Sequence, residues 1–186
     1  MTTHPVFNSF PIIHVNDEII LREINEADAA GFYFYITDPE VNRFISDEDI
    51  PTSIDGAVHE LRYWSSLFTH QRSIYWAIVD KQTNTIIGTC GFNNWSQLHK
   101  RGEISYDLAR NYWNKGIMTK VLKEMIKFSI AQMGIERVQA TVTLQNKAST
   151  RVLEKLGFKR EGLLKHYAYL HGKGKDFYMY AYVKES

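Results

Sequence analysis

The densest chemical signal in the chain lies in residues 103–119. Ile104, Tyr106 and Leu108 alternate there with Glu103, Ser105 and Asp107, the two-residue period of a strand with one buried face. The pattern breaks at Arg110-Asn111, and Lys115-Gly116 then opens a long segment whose apolar residues recur at helical spacing. A helix start presents main-chain N–H groups without intrahelical partners and the positive end of the helix dipole, which together attract an anion. Lys115 adds charge at that point, and Gly116 lets a phosphate come close to the main chain. Strand, basic glycine turn and helix together read as a seat for a pyrophosphate. The same residues also fit an ordinary strand-to-helix connection with glycine in the turn. A P-loop fits poorly, because no second glycine precedes Lys115 at the necessary spacing.

Other residue types that could do chemistry are scattered. The seven histidines show neither HExxH nor the His/Cys spacing of a zinc site, so no metal is expected. The single cysteine, Cys90, cannot form an internal disulfide, which suits a reducing compartment. It falls in an apolar strand over residues 86–92 and reads as a buried thiol rather than a nucleophile. With 22 Lys plus Arg against 21 Asp plus Glu, no bulk attraction to nucleic acid or an anionic membrane is expected. No apolar run is long enough to span a membrane, and residues 1–10 lack a basic region followed by an apolar one. A cytoplasmic protein is expected.

To hold these residues in place the chain must build a frame around them. Its 186 residues fit one domain with a sizeable core: a lead-in over 1–15 and a single domain over 16–186. The 13% aromatic content suits a large core, aromatic-lined pockets, or both. A first strand spans 18–24. Asn25 caps a helix that starts near Glu26, carries Phe32, Tyr33, Phe34 and Tyr35, and stops at Asp38-Pro39. Ser53 caps the next helix, which has Val58, Leu61, Trp64, Leu67 and Phe68 at helical spacing. Strands at 73–80 and 85–92 pair through a turn at 81–84, and 93–100 is a polar loop carrying Trp95. The helix after Gly116 puts Ile117, Val121, Leu122, Met125, Phe128 and Ile130 on its apolar stripe and ends at Gly134. Residues 136–143 form a parallel partner strand reached by this helical crossover. A short helix over 146–156 turns Ala148, Val152, Leu153 and Leu156 inward and closes at Gly157. Strands at 158–169 and 177–183 make a terminal hairpin with residues 171–174 at its tip. The reading is mixed α/β, with six or seven strands and about four helices, and not a doubly wound sheet.

The order of elements, the Trp113-Asn114-Lys115-Gly116-Ile117-Met118 turn, and the later Asn146, Ser149 and Leu156-Gly157-Phe158 converge. Together they resemble the GNAT superfamily of acetyl-CoA-dependent N-acetyltransferases over about residues 18–184. The resemblance looks closest to the branch that acetylates the amino termini of ribosomal proteins. The family's pyrophosphate motif is Arg/Gln-x-x-Gly-x-Gly/Ala; Gly116 matches, while Trp113 replaces the polar first residue and Met118 the small last one. The resemblance implies a mostly antiparallel central sheet with one splayed parallel pair, and acetyl-CoA as cofactor. Main-chain groups of Leu108, Ala109 and Arg110 would then meet the pantetheine amides. Asn114, Lys115, Gly116, Ile117, Met118 and Thr119 would cradle the pyrophosphate, with Asn146 and Ser149 beside the pantetheine arm.

Acetyl transfer to an amine needs a neutral amine, donors for the tetrahedral oxyanion and a proton for the departing thiolate. Glu103 is the candidate base, near where some relatives place a glutamate; the bland alternative is a strand glutamate paired with Arg101 or a lysine. Relatives that place an acid on the next strand, or before the hairpin turn, would need it at Thr141 or Ala168, and neither is one. A water chain is the alternative base. The tyrosine that many members use as an acid corresponds to Leu153; in the ribosomal branch a serine matching Ser149 has that role, and Ser149 also reads as a simple hydrogen-bond partner. A main-chain N–H near Leu108 would stabilise the oxyanion. Phe34, Trp64, Trp95, Tyr106 and His171 are the candidates for the acceptor groove. The expected function is acetylation of a primary amine by direct attack in a ternary complex. The expected acceptor is a protein N-terminal α-amine such as that of a ribosomal protein, and the enzyme a monomer or homodimer. A small amine acceptor (polyamine, aminoglycoside or amino acid) and a non-catalytic acyl-CoA-binding module are the alternatives.

Overall fold

The computed structural model describes residues 4–185. Its strands are β1 (Ile13–His14), β2 (Ile19–Glu23), β3 (Tyr75–Asp80), β4 (Thr85–Ser96), β5 (Arg101–Leu108), β6 (Arg137–Thr143), β7 (Lys159–Leu170) and β8 (Lys173–Val183). They form one sheet in the order β1-β2-β3-β4-β5-β6-β8-β7. Every pairing is antiparallel except β5 with β6. The helices are α1 (Ala29–Ile36), α2 (Pro39–Asn42), α3 (Ile54–Thr69), α4 (Ile117–Gln132) and α5 (Lys147–Lys155).

Several boundaries follow from local chemistry. Asn25 caps a 3-10 turn that leads into α1, and Asp28 returns a bond to the Asn25 N–H at 3.0 Å, a capping box. The Ser53 hydroxyl accepts from Gly56 N at 3.0 Å at the start of α3. Gly134, at φ 66°, lets Met133 N and Ile135 N both reach the Ser129 carbonyl and close α4.

The sheet separates two cores. Ile19, Leu21, Trp76, Ile78, Phe92 and Ile104 pack with Val121, Leu122 and Met125 of α4 and Leu153 of α5. On the other face Tyr75, Ala77 and Val79 pack with Phe32, Tyr35, Leu61 and Leu67 of α1 and α3. β3 is therefore buried on both faces and shows no alternation.

The elements number eight strands and five helices among the described residues, against six or seven and about four expected. β1 has only two residues, too few to show a period. α2 arises because the Asp38-Pro39 pair that stops α1 also starts a turn, with Asp38 Oδ1 accepting from Glu40 N at 2.9 Å. The expected loop at 93–100 is strand as far as Ser96, since Asn94, Trp95 and Ser96 pair with β5 beyond a bulge. β8 starts at Lys173 rather than 177, because the hairpin turns on two left-handed residues, His171 at φ 51° and Gly172 at φ 69°. The buried stripe of α4 is Met118, Val121, Leu122, Met125, Ile126 and Ser129, so Ile117, Phe128 and Ile130 lie at its margins. Ala148 is exposed at a cleft instead of facing inward. Residues 1–3 of the lead-in lie outside the described residues, and the rest is packed: Val6 is buried, and the Trp76 indole donates to the Pro11 carbonyl at 2.8 Å.

Candidate active site

The parallel pair parts early. β5 and β6 register only at Arg101/Arg137, Gly102/Val138 and Glu103/Gln139, although the strands continue to Leu108 and Thr143. Ala109 N donates backwards to the Ile87 carbonyl at 2.7 Å. Main-chain groups alternate in direction along a strand, so those of Leu108 and Tyr106 point the other way, into the gap. The Leu108 carbonyl accepts there from the Trp113 indole at 2.7 Å. Strand groups facing a gap need a partner from elsewhere.

The gap opens into a cleft of about 680 Å³ walled by the end of β5, the turn before α4, α5 and the residues around α2. The turn supplies its anion-attracting end. Asn114 (φ 59°) and Gly116 (φ 72°) are both left-handed, Gly116 is the N-cap of α4, and no side chain bonds the cap. Successive N–H groups in such a turn form a concave anion site. A Cβ on Gly116 would meet nothing within 4 Å, so the glycine fronts open space. Asn114, Gly116, Ile117, Met118 and Thr119 line the cleft together with Leu108. Three expected neighbours are not in that lining. Lys115 places its ammonium 5.3 Å from the centre of the Tyr112 ring, Ala109 is committed to Ile87, and Arg110 pairs with Asp38 at 3.8 Å.

α5 forms the opposite wall. Its cap is Asn146, whose Oδ1 accepts from Ser149 N at 3.1 Å, and both residues line the cleft. The Ser149 hydroxyl lies 2.6 Å from the Tyr106 hydroxyl. Burial pushes the Tyr106 phenol up to about 12 against a smaller downward pull from Ser149. Leu153 is fully buried in the core. Lys147, Arg151 and Lys155 also face the cleft, a basic stripe at four-residue spacing that was readable in the sequence and passed over.

On the α1/α3 face of the sheet, Glu103 sits at the last paired position, held by Gln139 Nε2 at 3.1 Å and Thr141 Oγ1 at 3.4 Å, and is not part of the cleft lining. Asp107, further along the same face, is in the lining and was not singled out from sequence. Its Oδ1 accepts from the Tyr35 hydroxyl at 2.7 Å and from Thr89 N at 3.0 Å, and its Oδ2 from the Thr89 hydroxyl at 2.6 Å. Burial raises its carboxyl pKa despite these donors.

Of the residues expected in an acceptor groove, only Tyr106 lies in this lining. Phe34 is 82% exposed on α1. Trp64 stacks on Tyr75 at 5.3 Å and 15° in the α1/α3 core. Trp95 packs against His4 and Phe7 on the α4 side, because the bulge between Phe92 and Asn94 turns it away from the face of Glu103. His171 instead ties the hairpin tip to the segment after α2, through Asp47 Oδ1 at 2.6 Å and the Arg43 carbonyl at 3.3 Å. Cys90 is buried, and burial raises its thiol pKa well above the usual range. Among the described residues no helix is long and apolar enough to cross a membrane, and no group of three or more His, Cys, Asp or Glu could hold a metal ion.

Known proteins share this architecture. The family described as acetyltransferase (GNAT) domain matches residues 18–159. YoaA of Bacillus subtilis strain 168, described as an uncharacterized N-acetyltransferase, is 34% identical over 175 residues, 94% of this chain and 98% of its own. The ribosomal protein uS5-alanine N-acetyltransferase of Escherichia coli strain K12 is 28% identical over 126 residues, 65% of this chain and 60% of its own. The crystal structure of the microcin C7 self-immunity acetyltransferase MccE, in complex with acetyl-CoA and AMP, superposes with a TM-score of 0.83 at 25% identity, covering 92% of this chain and 95% of that one. With the splayed strands, the uncapped helix start and a family match over most of its length, the chain belongs to the GNAT family of acetyl-CoA-dependent N-acetyltransferases.

Proposed function

We propose that this N-acetyltransferase carries acetyl from acetyl-CoA to the N-terminal α-amine of a protein, by direct attack while both substrates are bound. The observation that carries the reading is convergence: unpaired β5 groups and the uncapped α4 start face one cleft. The residues present fit acetyl-CoA. The turn of Asn114 and Gly116 offers N–H groups to a diphosphate, with no obstructing Cβ at Gly116, and the Tyr106 edge offers ladder groups to an amide-bearing arm. When bound, acetyl-CoA supplies the activated acyl group as a thioester. The Leu108 N–H, directed into the gap, is the donor for an oxyanion. Ser149, hydrogen-bonded to Tyr106, holds the proton for the departing sulfur. Glu103 takes the proton released by the amine, through water. An α-amine with a pKa of about 8 needs only modest help at neutral pH, whereas a lysine at about 10.4 needs much more.

The α-amine acceptor is supported by the Escherichia coli relative, whose described acceptor is a ribosomal protein alanine. A cytoplasmic setting goes with such an acceptor. The test is thiol release from acetyl-CoA across a panel of amines. N-terminal peptides of ribosomal proteins should serve best. Better turnover with spermidine, an aminoglycoside or an amino acid would move the acceptor to that class, and CoA binding without turnover on any amine would make the chain a binding module.

A further inference from the structure

Asp107 is an acid that no nearby cation balances. Among the described residues no lysine, arginine or histidine nitrogen lies within 4.0 Å of its carboxylate. The groups facing it are neutral: Tyr35 from α1, Tyr75 from β3, and Thr89 and Cys90 from β4. Three donors fix its orientation, two on Oδ1 and one on Oδ2, so Oδ2 keeps acceptor capacity. A carboxylate enclosed without a counter-charge is costly, yet this one is held rigidly in the wall of the cleft. It also directly precedes Leu108, whose N–H points into the gap, and it lies on the α1/α3 face, away from Ser149 and the basic stripe of α5.

We propose that Asp107 is the seat of the acceptor's ammonium group, with Oδ2 receiving the positively charged primary amine before it loses its proton. The inference rests on the cleft being the acetyl-transfer centre and narrows its acceptors to amines that are cationic at neutral pH, N-terminal α-amines or alkylamines. Arylamines and hydroxyl acceptors, which arrive uncharged, gain nothing from this seat. Asp107 acts as a positioning residue; the proton leaves the bound amine by way of Glu103 and water.

Asp107→Asn removes the charge and keeps the shape. The amide oxygen can still accept from Tyr35 and Thr89 N, and the Thr89 hydroxyl can turn from donor to acceptor for the new NH2. Binding of two acceptor peptides is compared by calorimetry in the presence of CoA, one with a free α-amine and one with hydrogen in its place. The wild-type chain should favour the amine by roughly tenfold or more, as for a charge-assisted hydrogen bond. Asp107→Asn should erase that preference and raise the acceptor KM similarly, leaving the affinity for CoA unchanged. A preference that survives the substitution, or one absent from the wild type, overturns the proposal. Preference lost on substitution but no turnover with any amine would retire the acetyl-transfer reading and leave the ammonium seat standing. Should the Asn variant not fold, Thr89→Val, which frees Oδ2 and keeps the charge and both bonds on Oδ1, must keep or strengthen the preference, and a preference lost there overturns the proposal.

Discussion

α4 begins and ends on a left-handed glycine, and the pair allows the anion seat to be tested against its own control. Gly116 has φ 72° and Gly134 φ 66°, and a Cβ built on either meets nothing within 4 Å. Alanine at either position therefore introduces no clash, only the left-handed strain of about 1–2 kcal/mol. For a chain of this length each kcal/mol lowers Tm by roughly 2–4 °C. Gly116→Ala and Gly134→Ala should thus be destabilised alike, by about 2–8 °C in scanning calorimetry. Only Gly116 lines the cleft. A methyl there stands between a diphosphate and the N–H groups of the turn, and losing one charge-assisted bond worth about 1.5–3 kcal/mol weakens CoA binding roughly 10- to 100-fold. Titration calorimetry with CoA should find Gly134→Ala close to wild type and Gly116→Ala weaker by that factor. Equal affinities for all three would refute the placement of the diphosphate. Equal losses in both variants would assign the effect to strain in α4 and refute it as well.

The other expectations concern the proton path and the frame. Glu103→Gln should lower kcat about 10²-fold near neutral pH in the thiol-release assay; unchanged turnover removes Glu103 as the base. Tyr106→Phe should lower kcat at least about tenfold with the affinity for CoA held, and in Ser149→Ala the Tyr106 phenol should titrate higher than in the wild type, because the Ser149 bond pulls it down; an ultraviolet titration that does not move contradicts the coupling. Asp28, 6% exposed, holds Arg22 through bonds of 2.8 and 2.7 Å, so Asp28→Asn should cost about 2 kcal/mol, discounted for the partial exposure of Arg22, read as a urea midpoint shift. Asp107 has a raised carboxyl pKa, so the folded chain keeps a proton there at pH values where the unfolded chain has lost it. Relative to Asp107→Asn, the wild type should gain stability as pH falls through the raised pKa and stop gaining below the ordinary carboxylate range; a flat difference across that span is the contrary result.

What could be read in advance was what neighbours in sequence decide. Asn25, Ser53, Asn146 and Gly134 bound their helices through contacts within a few residues, so their signals needed no knowledge of the fold. The glycine turn at Gly116 was legible for the same reason. The ends of β4 and β8 were not, since whether Asn94 or Lys173 joins a strand depends on an edge offered by a distant segment. Trp95 shows the mechanism most plainly. Simple alternation from Phe92 puts it on the face of Glu103, but Asn93 is an extra residue, and one inserted residue moves every later side chain to the other face. The α2 wall of the cleft, with Arg43 and Phe44, was invisible because it meets β5 and α5 only in three dimensions.

Glu103 and Asp107 illustrate a finer limit. Both are acids on the same face of one strand, and period-two reasoning cannot rank them. The difference arises where β6 lets go: Glu103 still has Gln139 opposite it, whereas Asp107 fronts a gap. Past that point a strand directs successive groups in three ways, side chains to opposite faces and main-chain N–H groups in the plane. Tyr106 faces Ser149 on the α5 side, Asp107 faces Tyr35 on the α1 side, and the Leu108 N–H lies between them, in the opening. In the proposed reaction these are the partner of the proton-holding Ser149, the ammonium seat and the oxyanion donor, delivered by three consecutive residues to a thioester and an amine that approach from opposite faces. Had β6 stayed paired to the end of β5, the N–H of Leu108 would be spent in the ladder and the two faces would have no opening in which to meet.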